Sequence, residues 1–398
     1  MSHRRVILLA LLFKCFTITA ENIRVPEDYP TLQEALDRAR DGDRILIAGG
    51  THRGPFSIRT SVSIEGEKGT LPILYDDTSP VRIIPLLLVQ NAGEVRLSNL
   101  IIQGGDPSQG VGATSVGILA IQSRIRLSEV SFRNILQYGL LQIGGEFEAE
   151  AVSFLTPSLP GRLTDTGLAF FGVSGVTTEH LVCDDPILRQ GITINSGLPF
   201  GARTSLSRPF IFHPSTGAPL TLPSPPSDPT QARLSGIRLR IPSEEETAGV
   251  VVGGPTTLTI EDSYFYMGPT RPRPLSPTAV IARGNPRIVI RNTTFSGVTR
   301  GILLTTGSPS LLLEDDTFTQ LGTALTLREN PGSVLDLGGG PLGSRGGNRF
   351  QGNTSDILLD PLSVPLPIPA RNNLFSPSPL VHSTREDGGL PERILLTE

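Results

Sequence analysis

LTIEDSYF (258–265), IVIRNTTF (288–295) and LLLEDDTF (311–318) are three copies of one pattern. In each, apolar residues hold the first, third and eighth places, and polar residues fill the middle. Alternation over the opening places is the period of a half-buried strand. The polar middle reads as a corner, and the eighth residue belongs to a second short strand. Working outward, the pattern recurs as VRLSNLII from Val95, IRLSEVSF from Ile125, FEAEAVSF from Phe147 and VTTEHLVC from Val176. The eighth residue is Phe or Ile in every copy except that ending in Cys183, and Thr178 is the one polar residue at the third place. Consecutive starts are separated by 30, 22, 29, 82, 30 and 23 residues. The short intervals fit one solenoid coil and the longer ones a coil with a loop. The interval of 82 residues is expected to hold further coils or a large excursion.

A second signal runs ahead of these copies. A glycine followed by an apolar strand begins at Gly117, Gly139, Gly167, Gly249, Gly301 and Gly322. Two phased signals with a period of this size indicate stacked supersecondary units. Each coil exposes strand edges that the next coil pairs at ~4.8 Å, so inward side chains merge into one core. A leucine-rich repeat would show L-x-x-L-x-L with Asn, which is absent, and a propeller needs ~40 residues per blade.

The entry to the repeats is VPEDYPTLQEALDRARDGDRILIAGGTHRGPFSIRTSVSIEGEKG (25–69). Thr31 and Glu34 have capping-box spacing, and Leu32, Ala35, Leu36 and Ala39 share a helical face. Asp41-Gly42-Asp43 stops the helix, strands follow at 44–48 and 62–64, and Gly49-Gly50 ends the first. The segment resembles the N-terminal cap of the pectin lyase-like superfamily. The matching positions are Pro26, Tyr29, Pro30, Thr31, Gln33, Ala35, Asp41, Gly42, Asp43, Gly50 and Thr51. The resemblance implies an all-β fold, a single-stranded right-handed parallel β-helix, with the short helix covering the first coil's open edge. VLDLGGGPLGSRGGNRFQGNTSDILL, from Val334, resembles a glycine-rich terminal coil of bacterial members. It lacks the spacing and the lysine of a phosphate-binding loop.

Composition agrees with a turn-rich chain. There are 43 Gly and 35 Pro among 398 residues, well above the usual combined ~12%. The net charge of −4 offers no basic balance for nucleic acid, and of 34 cationic residues only Lys14 and Lys68 are lysines. His3, Arg4 and Arg5 precede an apolar run from Val6 to Phe13 that Lys14 ends. That run is far shorter than the ~20 residues of a membrane span. It reads as a signal peptide over 1–20, cleaved after Ala20, with no transmembrane helix in the mature chain. The β-helix is expected over 21–375, with loop insertions at about 196–229 and 267–277, and a tail or cap over 376–398. Past the leader, Cys183 stands alone, so no intramolecular disulfide can form.

The superfamily implies secretion or a periplasmic or cell-envelope location, and a polysaccharide or cell-surface component as partner. Enzymes of the superfamily each need their own constellation, and none is complete. Asp184-Asp185 matches only the paired-Asp part of a polygalacturonase, without Gly-His-Gly or Arg-x-Lys. The methylesterase and epimerase elements are absent. Asp106-Pro107 and Asp185-Pro186 do not continue into His-Glu. Arg189 lies near Asp184 in sequence as a proton acceptor of the lyase kind. Asp76-Asp77, Glu244–Glu246 and Asp315-Asp316 are further acidic clusters, and Asp315 falls at the repeat corner, as Asn292 and Glu129 do. Arg271 and Arg273 sit in the proline loop, and the five histidines are scattered. No catalytic, substrate-binding or metal residue is assigned and no cofactor is expected. Calcium enters only with the enzyme alternative. The function expected is a non-catalytic β-helix that binds carbohydrate or a surface partner. The alternative is a polysaccharide-degrading or modifying enzyme with a divergent site.

Overall fold

The computed structural model describes residues 20–76, 85–105, 114–155, 164–184, 188–196, 229–243, 247–267, 277–329, 332–359, 368–376, 381–383 and 396–397. The leader, most of both insertions, Asp77, Asp185, Glu244–Glu246, Arg271, Arg273 and most of the tail lie outside them.

Every coil contributes to three ladders of parallel strands. The repeat ladder runs through Thr257–Glu261, Arg287–Arg291, Ser310–Glu314 and Val334–Asp336. The corner ladder runs through Tyr264–Tyr266, Thr294–Ser296, Thr317–Thr319, Arg349–Gln351 and Leu374–Ser376. The glycine ladder runs through Ala248–Gly253, Thr278–Arg283, Arg300–Thr305, Thr323–Arg328 and Ser355–Leu359. The same three ladders extend back through the continuous strands Ile135–Glu150 and Thr114–Arg133 to the entry coils. Strand, crossover and parallel strand in this order take the right-handed sense. The fold is a right-handed parallel β-helix.

The eight-residue pattern maps onto this plan place by place. Leu258 and Ile260 point inward from the repeat strand and Phe265 from the corner strand, all fully buried. The fifth place adopts positive φ in copy after copy: Asn99 53°, Glu129 54°, Ala151 55°, His180 54°, Asp262 51°, Asn292 48° and Asp315 58°. Asp315 is thus a corner residue. The eighth places form a column, with Phe265, Phe295, Phe318, Phe350 and Phe375 stacked at centroid distances of 5.5, 4.8, 4.9 and 4.7 Å. Cys183 occupies the same column between Phe154 and Leu239 in register, 1% exposed.

The glycine phase has a steric cause. A Cβ on Gly117, Gly139, Gly167, Gly191, Gly249 or Gly301 would lie 2.5–2.7 Å from a carbonyl oxygen of the next coil. Gly322 is not in this column. Register places Ala324 opposite Gly301, two residues on. Among the described residues, the interval of 82 residues holds one coil, formed by Leu188–Asn195, Gln231–Ser235 and Arg238–Arg240. Its repeat is ARLSGIRL (232–239), whose weak Ala232 and corner Gly236 hid it. The chain leaves the glycine ladder at Asn195 and re-enters the same coil at Gln231, so the long insertion is spliced between two strands of one coil.

At the entry, the helix Leu32–Arg38 buries Leu32, Ala35 and Leu36 on the first coils, with Thr31 as its N-cap. The Glu34 N–H donates to Thr31 Oγ1 at 3.2 Å, and the Thr31 hydroxyl donates to Glu34 Oε1 at 3.1 Å. The capping box therefore closes through side chains. Asp43, 3% exposed, accepts from the Glu21 and Arg40 N–H groups and anchors the turn below the helix.

At the far end, the glycine-rich string wraps a carboxylate of its own chain. Asp336 is fully buried. Its Oδ1 accepts from the N–H groups of Gly338 and Gly340, and its Oδ2 from those of Leu342 and Ser344, at 2.8–3.2 Å. Such a backbone nest suits an anion, and here the anion is internal. In these later coils the sixth place also turns polar. The N–H of Thr293 donates to Asp316, that of Asp316 to Asn348, and that of Asn348 to Asn373, at 2.9–3.0 Å. In earlier coils the sixth place is apolar: Leu100, Val130, Val152, Leu181 and Ile237.

Candidate functional site

Outward positions of the repeat ladder are zipped across coils by charge. Arg44 pairs with Glu65 and Arg124 with Glu146, and Arg126 Nε lies 2.8 Å from Glu148 Oε2. Arg233 reaches Glu261 at 3.0 Å, and Arg291 and Arg345 both reach Glu314, at 2.9 and 2.6 Å. Burial alone would raise the Glu314 carboxyl; the hydrogen bonds from Arg345 and Arg291 outweigh it and hold the group below its usual range. Neighbouring Asp316 goes the other way. Burial pushes it well above the ordinary value, against the N–H bonds from Thr293 and Glu314. An open groove of ≈ 410 Å³ on the earlier part of this face is lined by Arg96, Arg126, Glu148, Glu150 and Glu179 among others.

The acid–arginine pair suggested by sequence is divided. Asp184 ends a corner strand, where its Oδ1 lies 2.7 Å from Arg238 Nε and accepts from the Tyr266 hydroxyl at 3.0 Å. Arg189 lies on the glycine ladder and faces Asp165 at 3.9 Å. Tyr138, one coil earlier, completes a cluster drawn from three successive coils. Burial raises Tyr138, helped by the Asp165 charge, and burial also raises Asp165, which Arg189 partly offsets. Both shifts favour neutral forms. Tyr138 packs into an outer apolar cluster with Leu88, Leu119, Leu141 and Phe171. Among the described residues, no three acidic, His or Cys side chains gather as a metal site.

The corner face carries a different arrangement. Phe265 points inward, so its neighbours Tyr264 and Tyr266 point outward, and Tyr264 is 37% exposed. Their rings stack on each other at 4.9 Å with 14° between planes. Arg238 lies one strand away, its guanidinium carbon 6.0 Å from the Tyr266 ring centre. Burial and the hydrogen bond to Asp184 raise the Tyr266 hydroxyl, so it stays a donor at neutral pH. An exposed and a half-buried aromatic ring, a guanidinium and a carboxylate thus sit side by side on the sheet. Sequence reasoning passed over YFY (264–266), because its exposure depends on which face Phe265 takes.

No family model matches the chain, and no curated protein sequence matches it. Several solved structures are similar in architecture. An alginate lyase from Paenibacillus sp. str. FPU-7 is 12% identical with a TM-score of 0.45, over 91% of this chain and 98% of that one. The A-module of mannuronan C-5 epimerase AlgE4 from Azotobacter vinelandii is 10% identical with a TM-score of 0.45, over 92% and 100%. A polygalacturonase from Erwinia carotovora ssp. carotovora is 11% identical with a TM-score of 0.43, over 92% and 94%. These likenesses stop at the fold, which the coil-by-coil register of this chain shows independently to be a parallel β-helix.

Proposed function

We propose that the chain is a non-catalytic, polysaccharide-binding β-helix working outside the cytoplasm, and that the corner face is its sugar-contacting surface. The observation that carries this reading is the exposed Tyr264–Tyr266 stack beside Arg238 and Asp184. Aromatic rings offer a broad apolar plane with a polar tip, which suits the C–H face of a pyranose. Arg238 and Asp184 supply the donor and acceptor that orient sugar hydroxyls at its rim. The platform is built on strands, so little order is lost when a ligand docks.

The test is affinity electrophoresis of the full chain through a panel of polysaccharides, with release of reducing ends and of unsaturated products followed in parallel. At least one polymer should retard the protein without product. The double variant Tyr264→Ala, Tyr266→Ala should weaken retardation roughly tenfold, equivalent to ~1.4 kcal/mol. Retardation equal to that of the wild type would remove the corner face from the account, and product release would replace binding with catalysis.

A further inference from the structure

The tyrosine platform has a continuation. Along the corner ladder, register carries Tyr264–Tyr266 into Thr294–Ser296, then Thr317–Thr319, then Arg349–Gln351. The middle residue of each strand is a phenylalanine of the buried column, so the residues flanking it point outward. Thr294 and Thr317 therefore stand in one file, and Ser296 and Thr319 in a second. All four are half-buried. Neighbouring coils lie ~4.8 Å apart, and alternate residues of one strand ~6.6 Å apart. The rings beneath keep the first of these spacings, with Phe295 and Phe318 4.8 Å apart.

The hydroxyls of this lattice are free. Ser131 and Ser153 hold the file of Thr294 in earlier coils, and their side chains hydrogen-bond to each other at 2.7 Å. Among the described residues, Thr294, Ser296, Thr317 and Thr319 make no side-chain hydrogen bond. Nor is the lattice charged. The strands Thr294–Ser296 and Thr317–Thr319 contain no ionisable residue, whereas the repeat strands of the same coils carry the ion pair of Arg291 and Glu314. The β-branch of threonine restricts χ1, so the position of the hydroxyl repeats from coil to coil. A hydroxyl both donates and accepts. An oxyanion only accepts, and would leave the lone pairs of the lattice facing its charge. A sugar hydroxyl donates as well as accepts and satisfies both halves.

We propose that this lattice extends the tyrosine platform into a track for a neutral, extended glycan whose chain runs parallel to the solenoid axis, one sugar to a coil. The inference rests on the reading of the corner face as the sugar-contacting surface, and adds to it the charge, direction and length of the ligand. A pyranose chain with equatorial links advances per residue by close to the spacing between coils, so successive sugars meet successive threonines in one register. A coiled, α-linked chain leaves that register. The coils from Tyr264–Tyr266 to Arg349–Gln351 make the track about four sugars long. The exposed Arg349 and Gln351 close its far end with donors. Because the hydroxyls are fixed on strands over a packed column, docking orders little that is not already in place.

Titration calorimetry on the full chain tests this, with cello-, xylo- and β-linked manno-oligosaccharides of increasing length, malto-oligosaccharides and oligogalacturonates as probes. At least one of the three neutral extended series should bind, with affinity rising up to about four units and flat beyond. Malto-oligosaccharides and oligogalacturonates should bind at least tenfold more weakly. Affinity for the best probe should hardly change with salt, because no counterion is released. The double variant Thr294→Val, Thr317→Val keeps the shape of the sheet and should weaken binding roughly tenfold. Thr259→Val, outward on the repeat face, should leave it unchanged. Both variants should melt with the wild type, because the hydroxyls removed hold nothing within the protein; a marked loss of stability in the double variant would overturn the proposal. Binding lost in Tyr264→Ala, Tyr266→Ala but intact in the threonine variant would keep the platform and overturn the track. So would affinity that stops rising at two units, tightest binding of oligogalacturonate, or no binding by any neutral series. Binding untouched by either double variant would overturn both readings.

Discussion

Replacing Phe318 with alanine removes the middle ring of the aromatic column. Phe318 is fully buried, with Phe295 stacked at 4.8 Å on one side and Phe350 at 4.9 Å on the other. Truncating a buried Phe costs ~3–5 kcal/mol, through lost transfer energy and the cavity left behind. Each ring pair adds ~0.5–1.5 kcal/mol beyond area, which places Phe318→Ala at the top of that range. Phe375 has one ring neighbour, at 4.7 Å, and is only partly buried, so Phe375→Ala should cost about 1–2 kcal/mol by the same reasoning. Phe318→Leu keeps most of the volume and loses the ring pairs, again about 1–2 kcal/mol. Against a total stability of ~5–15 kcal/mol the first loss is large. Urea denaturation followed by circular dichroism measures the ranking. Hydrogen exchange resolved by coil measures its location, because in a solenoid each coil leans on its neighbours alone. Protection should fall in Thr294–Ser296 and Arg349–Gln351 and persist in Asn22–Val25 and Arg44–Ile47. Equal losses for Phe318→Ala and Phe375→Ala would refute the column as a source of stability, as would protection lost evenly along the molecule.

Thr178 holds a third place in the core, fully buried, and its hydroxyl has no hydrogen-bond partner. Thr178→Val keeps the shape and removes the orphaned group, so thermal unfolding should show a gain of about 1 kcal/mol. Glu314 titrates below its usual range in the folded chain. Its contribution is therefore present above the ordinary carboxylate pKa of ~4.3 and lost as pH falls through the depressed value. Glu314→Gln should cost ~1–3 kcal/mol near neutral pH and flatten the acid limb of a plot of stability against pH; an unchanged acid limb would remove Glu314 as its source. Asp316, displaced upward by burial, acts with opposite sign and loses stability as pH rises above the ordinary value.

The repeating part of the fold is written in single residues. Phe at the eighth place, alternation at the first and third, and a polar corner were enough to define the coil. The fifth place takes positive φ, which Asn and Asp tolerate better than most residues. Ala151 and Glu129 adopt it too, so the corner is imposed by stacking as much as by residue type. The coil at 232–239 escaped notice because alanine and glycine carry little pattern of their own. Gly322 was misplaced by two residues because a glycine beside an apolar run looks alike whether it faces the next coil's carbonyl or a turn. Sites were far less legible. Pairing of Asp184 with Arg238 depends on which residues register brings together across 54 positions of chain. Coil length varies with each insertion, so no spacing rule predicts those neighbours.

The three corners of the coil differ in their freedom to change. The turn from repeat strand to corner strand holds its one left-handed residue in coil after coil, as at Asp262 between Thr257–Glu261 and Tyr264–Tyr266 and at Asn292 between Arg287–Arg291 and Thr294–Ser296. The other two turns vary widely in length, from Thr319 to Thr323 in one coil to Asn195 to Gln231 in another. Both border the glycine ladder. Insertions and deletions can therefore accumulate along two edges of that face without disturbing register, while the third edge stays tight through the middle coils and lengthens at the two ends, between Ser63–Gly66 and Ile73–Asp76 and between Val334–Asp336 and Arg349–Gln351. In evolutionary terms the middle of the molecule keeps one margin fixed and leaves two open to experiment, so novelty there should collect around the glycine face while the repeat–corner edge serves as a spine between the two ends.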